Sequence, residues 1–282
     1  MGGAGLPDGA AVLREWTSAA DAWRKWRREF AMQSRAATRL LLEAALVEPG
    51  MRILDLASGS GEPVVSLALA AGAGGRVVAT DIVPAMLLGA REHAAERARG
   101  NVAFAAANSE ALPFPDETFD RLTCRFGAMF FPGIEQAMVE GRRVLRPNGR
   151  AIFLAWGEAR HNTFYTATTG VLLKYAPPPQ QTPDLAHRFA QPGSLSVALG
   201  HGAFRQITET FHAISWAWPG TPEGFWDYSI EVRRSFRRIF DSLGPAERQQ
   251  AKQESLAEMQ RFYDGQEVNF GGQIVIATGM RA

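Results

Sequence analysis

One short stretch limits what this chain can become: Met51-Arg-Ile-Leu-Asp55-Leu-Ala-Ser-Gly59-Ser-Gly61-Glu62, with Arg76-Val-Val-Ala-Thr-Asp81 after it. It reads as strand, glycine turn, helix, strand and acidic residue. A strand carrying Ile53, Leu54 and Leu56 suits a parallel sheet buried on both faces. Gly59 and Gly61 let the backbone approach a ligand closely, and the helix that follows points its N-terminus at the same place. A carboxylate at the end of the second strand, Asp81, can accept from both hydroxyls of a ribose. The pattern outlines a nucleotide-cofactor pocket; a glycine turn that merely joins a strand to a helix is the plainer alternative.

Spacing narrows the choice of cofactor. A dinucleotide-binding turn needs G-x-G-x-x-G, yet Val64 stands at the third glycine position and an acid, Asp55, opens the loop. A pyrophosphate would be repelled by that acid, whereas the ammonium of a methionine moiety would be attracted. The stretch therefore favours S-adenosyl-L-methionine, with S-adenosyl-L-homocysteine as product, over NAD.

Composition sets wider bounds. With 282 residues, 46% of them hydrophobic, the chain can bury a substantial core. The formal net charge of +1 points to no class of partner. Basic clusters at Arg24-Lys25-Trp26-Arg27-Arg28 and Arg233-Arg234-Ser235-Phe236-Arg237-Arg238 lie in helical patterns with acids nearby, and are expected to be solvated helix faces rather than a nucleic-acid surface. The lone Cys124 excludes an internal disulfide and most cysteine-based metal sites; no metal is expected, and Cys124 reads as a small buried residue. No run approaches the roughly 18 apolar residues of a membrane span, and MGGAGLPDGA lacks the basic-then-apolar layout of a secretion signal, so a soluble cytoplasmic protein is expected.

Helical periodicity covers 10–47, with Trp16, Trp23, Trp26 and Phe30 on one face, and Pro49-Gly50 ends it. Strands are then expected at 51–56, 76–80, 102–106, 119–125 and 151–156, and helices at 62–71, 84–99 and 134–145. This alternation argues for an α/β fold with a parallel sheet covered on both faces. Beyond Trp156 the rhythm breaks. Helices at 161–173 and 194–201 flank a loop at Pro177-Pro-Pro179; a strand follows at 204–215, helices at 222–242 and 245–263, and a last strand at 268–278. The expected units are an N-terminal helical cover (1–48), a cofactor-binding core (49–157), a cap segment (158–203), and the last two strands carrying a two-helix insertion at about 221–264 (204–282).

Four segments, in order and at matching spacing, give a family resemblance over roughly 50–157. They are Ile-Leu-Asp55-Leu-Ala-Ser-Gly59-Ser-Gly61-Glu-Pro63, Val-Val-Ala-Thr-Asp81-Ile-Val-Pro84-Ala-Met86-Leu, the run from Ala107-Asn108-Ser109-Glu110 to Phe119-Asp120, and Glu140-Gly-Arg-Arg143-Val-Leu145-Arg146-Pro147-Asn-Gly149-Arg150. With them the chain resembles the class I S-adenosylmethionine-dependent methyltransferases, and among these the type-11 group similar to the ubiquinone/menaquinone biosynthesis C-methyltransferases. The resemblance implies a doubly wound, Rossmann-like seven-stranded sheet in order 3-2-1-4-5-7-6 with its last strand antiparallel and a helical cover. The connection of about 50 residues between the last two strands departs from the short hairpin common in such proteins.

By that resemblance, Asp55, Ala57, Ser58, Gly59 and Gly61 surround the amino-acid end of the cofactor, Asp81 binds the ribose, Ile82 and Met86 pack on adenine, and Asn108, Ser109 and Glu110 reach its edge. Many relatives have Asp at Asn108; an amide still accepts through its oxygen but adds a donor. Ala57, where glycine is common, implies a backbone conformation that tolerates a Cβ. After the fourth strand, Arg125 and Phe126 are expected to offer backbone groups to the methionine end, and Met129 and Phe130 either face the acceptor or pack in the core.

Methyl transfer is an in-line displacement, so the protein chiefly positions, desolvates and removes a proton where one must leave. Base candidates lie in the cover: His161 and Tyr165 first, then His187, His201, His212 and Asp227. His161, at a strand's C-terminal end, is placed best, with an ordinary solvated loop histidine as the alternative. An aromatic cover including Trp26 and Trp226 suits a hydrophobic small molecule, unless those rings merely pack their helices on the core. The expected function is methylation of a small, largely apolar acceptor at carbon or oxygen by a monomer or homodimer. The alternatives are a non-methylating cyclisation or elimination on the same fold, or a non-catalytic sensor of the cofactor.

Overall fold

The computed structural model describes residues 9–97, 100–176 and 185–282. The loop at Pro177-Pro-Pro179, the first eight residues and the expected end of the 84–99 helix lie outside the described residues. Seven strands form one sheet: β1 (Arg52–Leu56), β2 (Arg76–Asp81), β3 (Val102–Ala106), β4 (Phe119–Arg125), β5 (Leu145–Trp156), β6 (Arg205–Trp218) and β7 (Val268–Met280). Their order is β3-β2-β1-β4-β5-β7-β6, with β1 to β5 parallel and β7 antiparallel to both neighbours. This is the expected topology. β1 and β4 are neighbours, although helices and two strands separate them in sequence, so the chain diverges on either side of this pair and leaves a crevice at its C-terminal end.

Alternation along the central strands divides the core into two faces. Ile53, Ile152, Leu154 and Ile276 point to one, where Ala37, Leu41, Ala45, Val64 and Leu67 cover them. Leu54, Leu56, Leu122 and Phe153 point to the other, against Met138, Leu195 and Leu199. Cys124 belongs to this second face, is fully buried, and has its thiol pushed up by that burial.

Helices α1 (Gly9–Lys25), α2 (Arg27–Gln33) and α3 (Arg35–Ala45) make up the N-terminal segment, α4 (Val64–Ala71) and α5 (Met86–Arg97) follow β1 and β2, and α6 (Ile134–Val144) precedes β5. The basic residues of α1 and α2 are paired: Lys25 with Glu231 at 2.7 Å, Arg28 with Glu96 at 3.0 Å, and Arg24 with Glu92. β5 starts earlier than expected. Leu145 already pairs with Phe119, and the chain then bulges around Asn148, whose φ is 63°, before pairing resumes at Arg121 and Arg150.

The expected helix at 161–173 is broken into α7 (Thr163–Thr166) and α8 (Thr169–Tyr175), and α9 (Ser194–His201) follows. The insertion between β6 and β7 holds three helices rather than two: α10 (Pro222–Val232), α11 (Arg234–Ser242) and α12 (Pro245–Gln260). Thr221 caps α10 by accepting from the Gly224 N–H at 3.2 Å, and Pro222 fills its first turn. Arg233 divides α10 from α11 by taking an extended conformation, φ −89° and ψ 95°. Its guanidinium donates to Thr168 at 2.8 Å and Thr169 at 2.9 Å, which ties the break to the start of α8. Among the described residues no helix is long and apolar enough to cross a membrane.

Candidate active site

The loop after β1 is fastened to β2 before any ligand is considered. The Ser58 N–H donates to the Thr80 carbonyl at 2.9 Å, and Thr80 returns its own N–H to Ser58 Oγ at 3.1 Å. Thr80 Oγ1 and Ser58 Oγ both donate to the Asp55 carbonyl. The loop is therefore a rigid ledge at the C-terminal edge of the sheet.

Asp55 is fully buried on this ledge. Thr123 Oγ1 donates to its Oδ1 at 2.6 Å, whereas Oδ2 has no partner among the described residues. Burial pushes its carboxyl up to about 6, against the opposing pull of the Thr123 and Ser58 hydrogen bonds and the Arg125 charge. Beside it, Glu62 Oε2 is also buried and unpartnered among the described residues. Arg125, at the end of β4, donates to Thr38 Oγ1 at 2.8 Å and to the Glu62 carbonyl at 2.7 Å, and its Nε has no partner among the described residues. Burial brings its guanidinium down to about 10. Two acceptors and one donor left unmatched in one buried corner are the complement of an amino-acid zwitterion.

Asp81 stands at the end of β2, accepting from the Gly59 N–H at 3.0 Å through Oδ2 and from the Val83 N–H at 2.9 Å through Oδ1. Burial pushes it up to about 6 as well. Ile82 and Met86 continue the wall past it, and Asn108, Ser109 and Glu110 face them. Asn108 Oδ1 accepts from the Glu110 N–H at 3.0 Å, and Glu110 Oε1 accepts from the Gly133 N–H at 2.8 Å, so this edge is also preorganised.

Ser58, Gly59, Glu62, Arg125, Asp81, Ile82, Met86 and the edge at 108–110 line one cavity of about 990 Å³, with Asp55 buried behind its wall. Its second half is aromatic, with Trp156, Trp216, Phe164, Tyr165, Phe225 and Tyr228 in its walls. Trp156 meets Trp216 edge to face at 4.6 Å and Phe126 stacks on Trp156 at 4.3 Å, making a stiff floor between the two halves. Helix α1 closes over the top: Trp16 meets Phe130 at 5.0 Å, and Glu15 bridges to Arg234 at 3.8 Å and Arg238 at 3.6 Å on α11.

Most residues expected at the site line the cavity: Ala57, Ser58, Gly59, Asp81, Ile82, Met86, Asn108, Ser109, Glu110, Arg125, Phe126, Met129, Phe130 and Tyr165. Asp55 does not: it is fully buried behind the wall, held by Thr123. Several expectations need correction. Ala57 does not have an ordinary backbone; its φ is 51°, and its methyl occupies the space left by Gly127, where an added Cβ would lie 2.4 Å away. Phe126 cannot offer its N–H, which donates to the Leu154 carbonyl at 2.8 Å; the ring is what it contributes. Gly61 is absent from the cavity wall. Its φ of 140° and a would-be Cβ 2.9 Å from His93 Cβ make it a packing glycine against α5.

His161 is exposed and lies outside the cavity. Its buried neighbour Asn162 accepts from the Gln273 N–H at 2.9 Å and donates to the Glu158 carbonyl at 2.8 Å, which turns His161 outward to receive a hydrogen bond from Arg160 at 3.3 Å. His187 reaches the cavity instead, its ring edge-on to Tyr165 at 5.0 Å and its Nδ1 2.8 Å from the Gly157 carbonyl. Trp226 is buried against Phe236 at 5.2 Å and Phe240 at 5.5 Å, on the face of α10 turned to α11. Trp26 sits behind the wall, 6.0 Å from the Tyr228 ring, and donates to Glu231 at 2.9 Å. Sequence reasoning missed Tyr228. Its spacing of three from Phe225 puts both on one face of α10, a signal that attention to Trp226 obscured.

Comparison with known proteins bears on the fold and the family. The curated relatives include a ubiquinone/menaquinone biosynthesis C-methyltransferase UbiE of Shewanella piezotolerans, 37% identical over 125 residues, which are 44% of this chain and 50% of that protein. The match thus spans about half the length of such relatives. Among solved structures, a putative methyltransferase from Bacillus halodurans superposes with a TM-score of 0.56 at 21% identity, covering 86% of this chain and 98% of that one. The [4+2]-cyclase SpnF has the same fold, with a TM-score of 0.52 at 19% identity over 86% of this chain and 79% of its own. The profile of the ubiE/COQ5 methyltransferase family matches residues 20–173, more than half of the sequence, and the chain belongs to that family.

Proposed function

We propose that this protein transfers a methyl group from S-adenosyl-L-methionine to a small, largely apolar acceptor, at carbon or oxygen. The observation that carries the reading is the continuity of the cavity: a polar half with an unmatched acceptor on Glu62 and an unmatched donor on Arg125 opens directly into an aromatic half. In the polar half, Glu62 attracts the ammonium with the charge of Asp55 behind it, Arg125 takes the carboxylate, Asp81 accepts from the ribose, and Ile82 and Met86 flank the adenine. Asn108 keeps one lone pair and its amide donors for the adenine edge.

When bound, the cofactor supplies an electrophilic methyl: the acceptor's electron pair forms the new bond while the carbon–sulfur pair returns to sulfur. The chain's part is alignment and exclusion of water. Phe126 and Trp156 hold the boundary between the halves, and α1 roofs it through Trp16 and Phe130. A proton leaving a carbon or hydroxyl acceptor is received by His187, which lines the cavity beside the Tyr165 ring. With Nδ1 facing a carbonyl oxygen, the neutral His187 ring carries its proton there and its lone pair on Nε2. Membership of a methyltransferase family favours methylation over a cyclisation or a sensing role.

The test is incubation with methyl-labelled S-adenosylmethionine and a panel of hydroxylated and unsubstituted aromatic acceptors, alongside Asp81→Asn. Label in an acceptor, with affinity for S-adenosylhomocysteine reduced about tenfold or more in the variant, is the expected result. Unchanged affinity in Asp81→Asn would remove Asp81 from the site. Cofactor binding with no labelled product from any acceptor would argue against transfer.

A further inference from the structure

The aromatic half of the cavity carries a phenol that the reading above does not use. Tyr228 lines it, is 4% exposed, and its hydroxyl makes no hydrogen bond among the described residues. The ring is nonetheless held firmly, with Trp218 at 4.8 Å, Phe225 at 5.7 Å and Trp26 at 6.0 Å. With its ring packed and no protein partner for its hydroxyl among the described residues, the phenol can complete its hydrogen bonding only with what enters the cavity.

The charges of two guanidiniums act on this phenol, Arg125 from the polar corner and Arg233 from the break between α10 and α11; both also line the cavity. Burial pushes the phenol up, outweighing both arginines, so it stays protonated at neutral pH and donates. A donor under the influence of positive charge, in a chamber walled largely by rings, is matched by an electron-rich oxygen on an apolar molecule.

We infer that Tyr228 is the acceptor-binding donor of the site: its hydroxyl holds a hydroxyl or carbonyl oxygen of an otherwise apolar acceptor, with the charges of Arg125 and Arg233 favouring electron density on that oxygen. The inference rests on the proposed transfer reaction and adds to it a specificity residue contributed by the insertion between β6 and β7. Density drawn onto an oxygen next to these charges also keeps the acceptor oriented while its nucleophilic atom faces the floor formed by Phe126 and Trp156.

The test compares two isosteric probes, 2-naphthol and 2-methylnaphthalene, by equilibrium dialysis against the full chain saturated with S-adenosylhomocysteine. The native protein is expected to bind 2-naphthol about tenfold more tightly than the hydrocarbon, and Tyr228→Phe, which keeps the ring contacts, to lose that preference. Affinity for S-adenosylhomocysteine and the melting temperature are expected to match the native protein. Equal binding of both probes by the native protein, or a preference that survives in Tyr228→Phe, would overturn the inference. So would a tenfold loss of S-adenosylhomocysteine affinity in the variant, which would place the hydroxyl in the cofactor half. Failure of the native protein to bind S-adenosylhomocysteine at all would refute the proposed reaction instead.

Discussion

Replacing the two glycines of the first loop by alanine, one at a time, separates binding from packing. At Gly61, φ is 140° and an added Cβ would lie 2.9 Å from His93 Cβ. His93 is 4% exposed in α5, and a Cβ cannot swing away from its main chain, so the helix itself must move. Backbone strain of this kind costs about 1–3 kcal/mol. Overpacking adds about as much again, for a combined loss of about 2–6 kcal/mol against a typical stability of about 5–15 kcal/mol. At Gly59, φ is 57° and an added Cβ meets nothing within 4 Å. Only the left-handed conformation is penalised, by about 1–2 kcal/mol. Gly59, however, lines the cavity and donates its N–H to Asp81, so the methyl stands where the cofactor must approach. Urea unfolding followed by tryptophan fluorescence is expected to show Gly61→Ala as the less stable variant. Calorimetry with S-adenosylhomocysteine is expected to show Gly59→Ala, still folded, as the one that loses affinity by about tenfold or more. A Gly61→Ala protein within about 0.5 kcal/mol of the native one, or a Gly59→Ala protein with native affinity, would refute the assignment of the two roles.

Two further perturbations probe charge. Because burial raises Asp55 to about 6, its contribution to stability is fully present below the ordinary carboxylate range and is lost as pH rises through about 6. Asp55→Asn is therefore expected to gain up to about 3 kcal/mol relative to the native protein between pH 4 and pH 8 while weakening cofactor binding; a stability difference that does not change with pH would contradict the buried, poorly matched carboxylate. Glu15→Gln removes the bridges from α1 to Arg234 and Arg238, which are partly exposed, so stability should change by less than about 1 kcal/mol. Stopped-flow release of S-adenosylhomocysteine should nevertheless become severalfold faster at low salt and equal to native in 1 M salt; equal rates at low salt would show that these bridges do not hold the roof.

The sheet and the polar half of the site were legible because each rests on a local rule. Ile53, Leu54 and Leu56 announce a strand buried on both faces, and Asp55 and Asp81 sit where strand ends meet the crevice. The aromatic half was less legible because a ring on a helix can face either way. Trp226 and Tyr228 are two residues apart on α10, and only the packing of α11 and α12 decides which is core and which is wall. His161 failed for a related reason: position beside a strand end does not fix side-chain direction, which Asn162 sets through contacts to Gln273, more than a hundred residues away. Gly61 misled through company. It shares a motif with Gly59, but His93 is its neighbour in space. The break at Arg233 has no glycine or proline to signal it and depends on Thr168 and Thr169, from a different segment.

From the pair Thr208 and Thr278 the antiparallel ladder of β6 and β7 runs without interruption to the pair Trp218 and Val268, before and after the segment that carries Phe225, Tyr228 and Arg233. The insertion thus leaves and re-enters the fold through two adjacent strand ends, about 4.8 Å apart in the hydrogen-bonding direction. A closed stem of this kind fixes the attachment whatever it carries, since lengthening a loop between fixed ends adds little entropic cost. The part of the aromatic wall that the insertion supplies is in this sense a replaceable cartridge: a different set of helices on the same two strand ends would reshape that half of the cavity and leave the ledge after β1 unaltered.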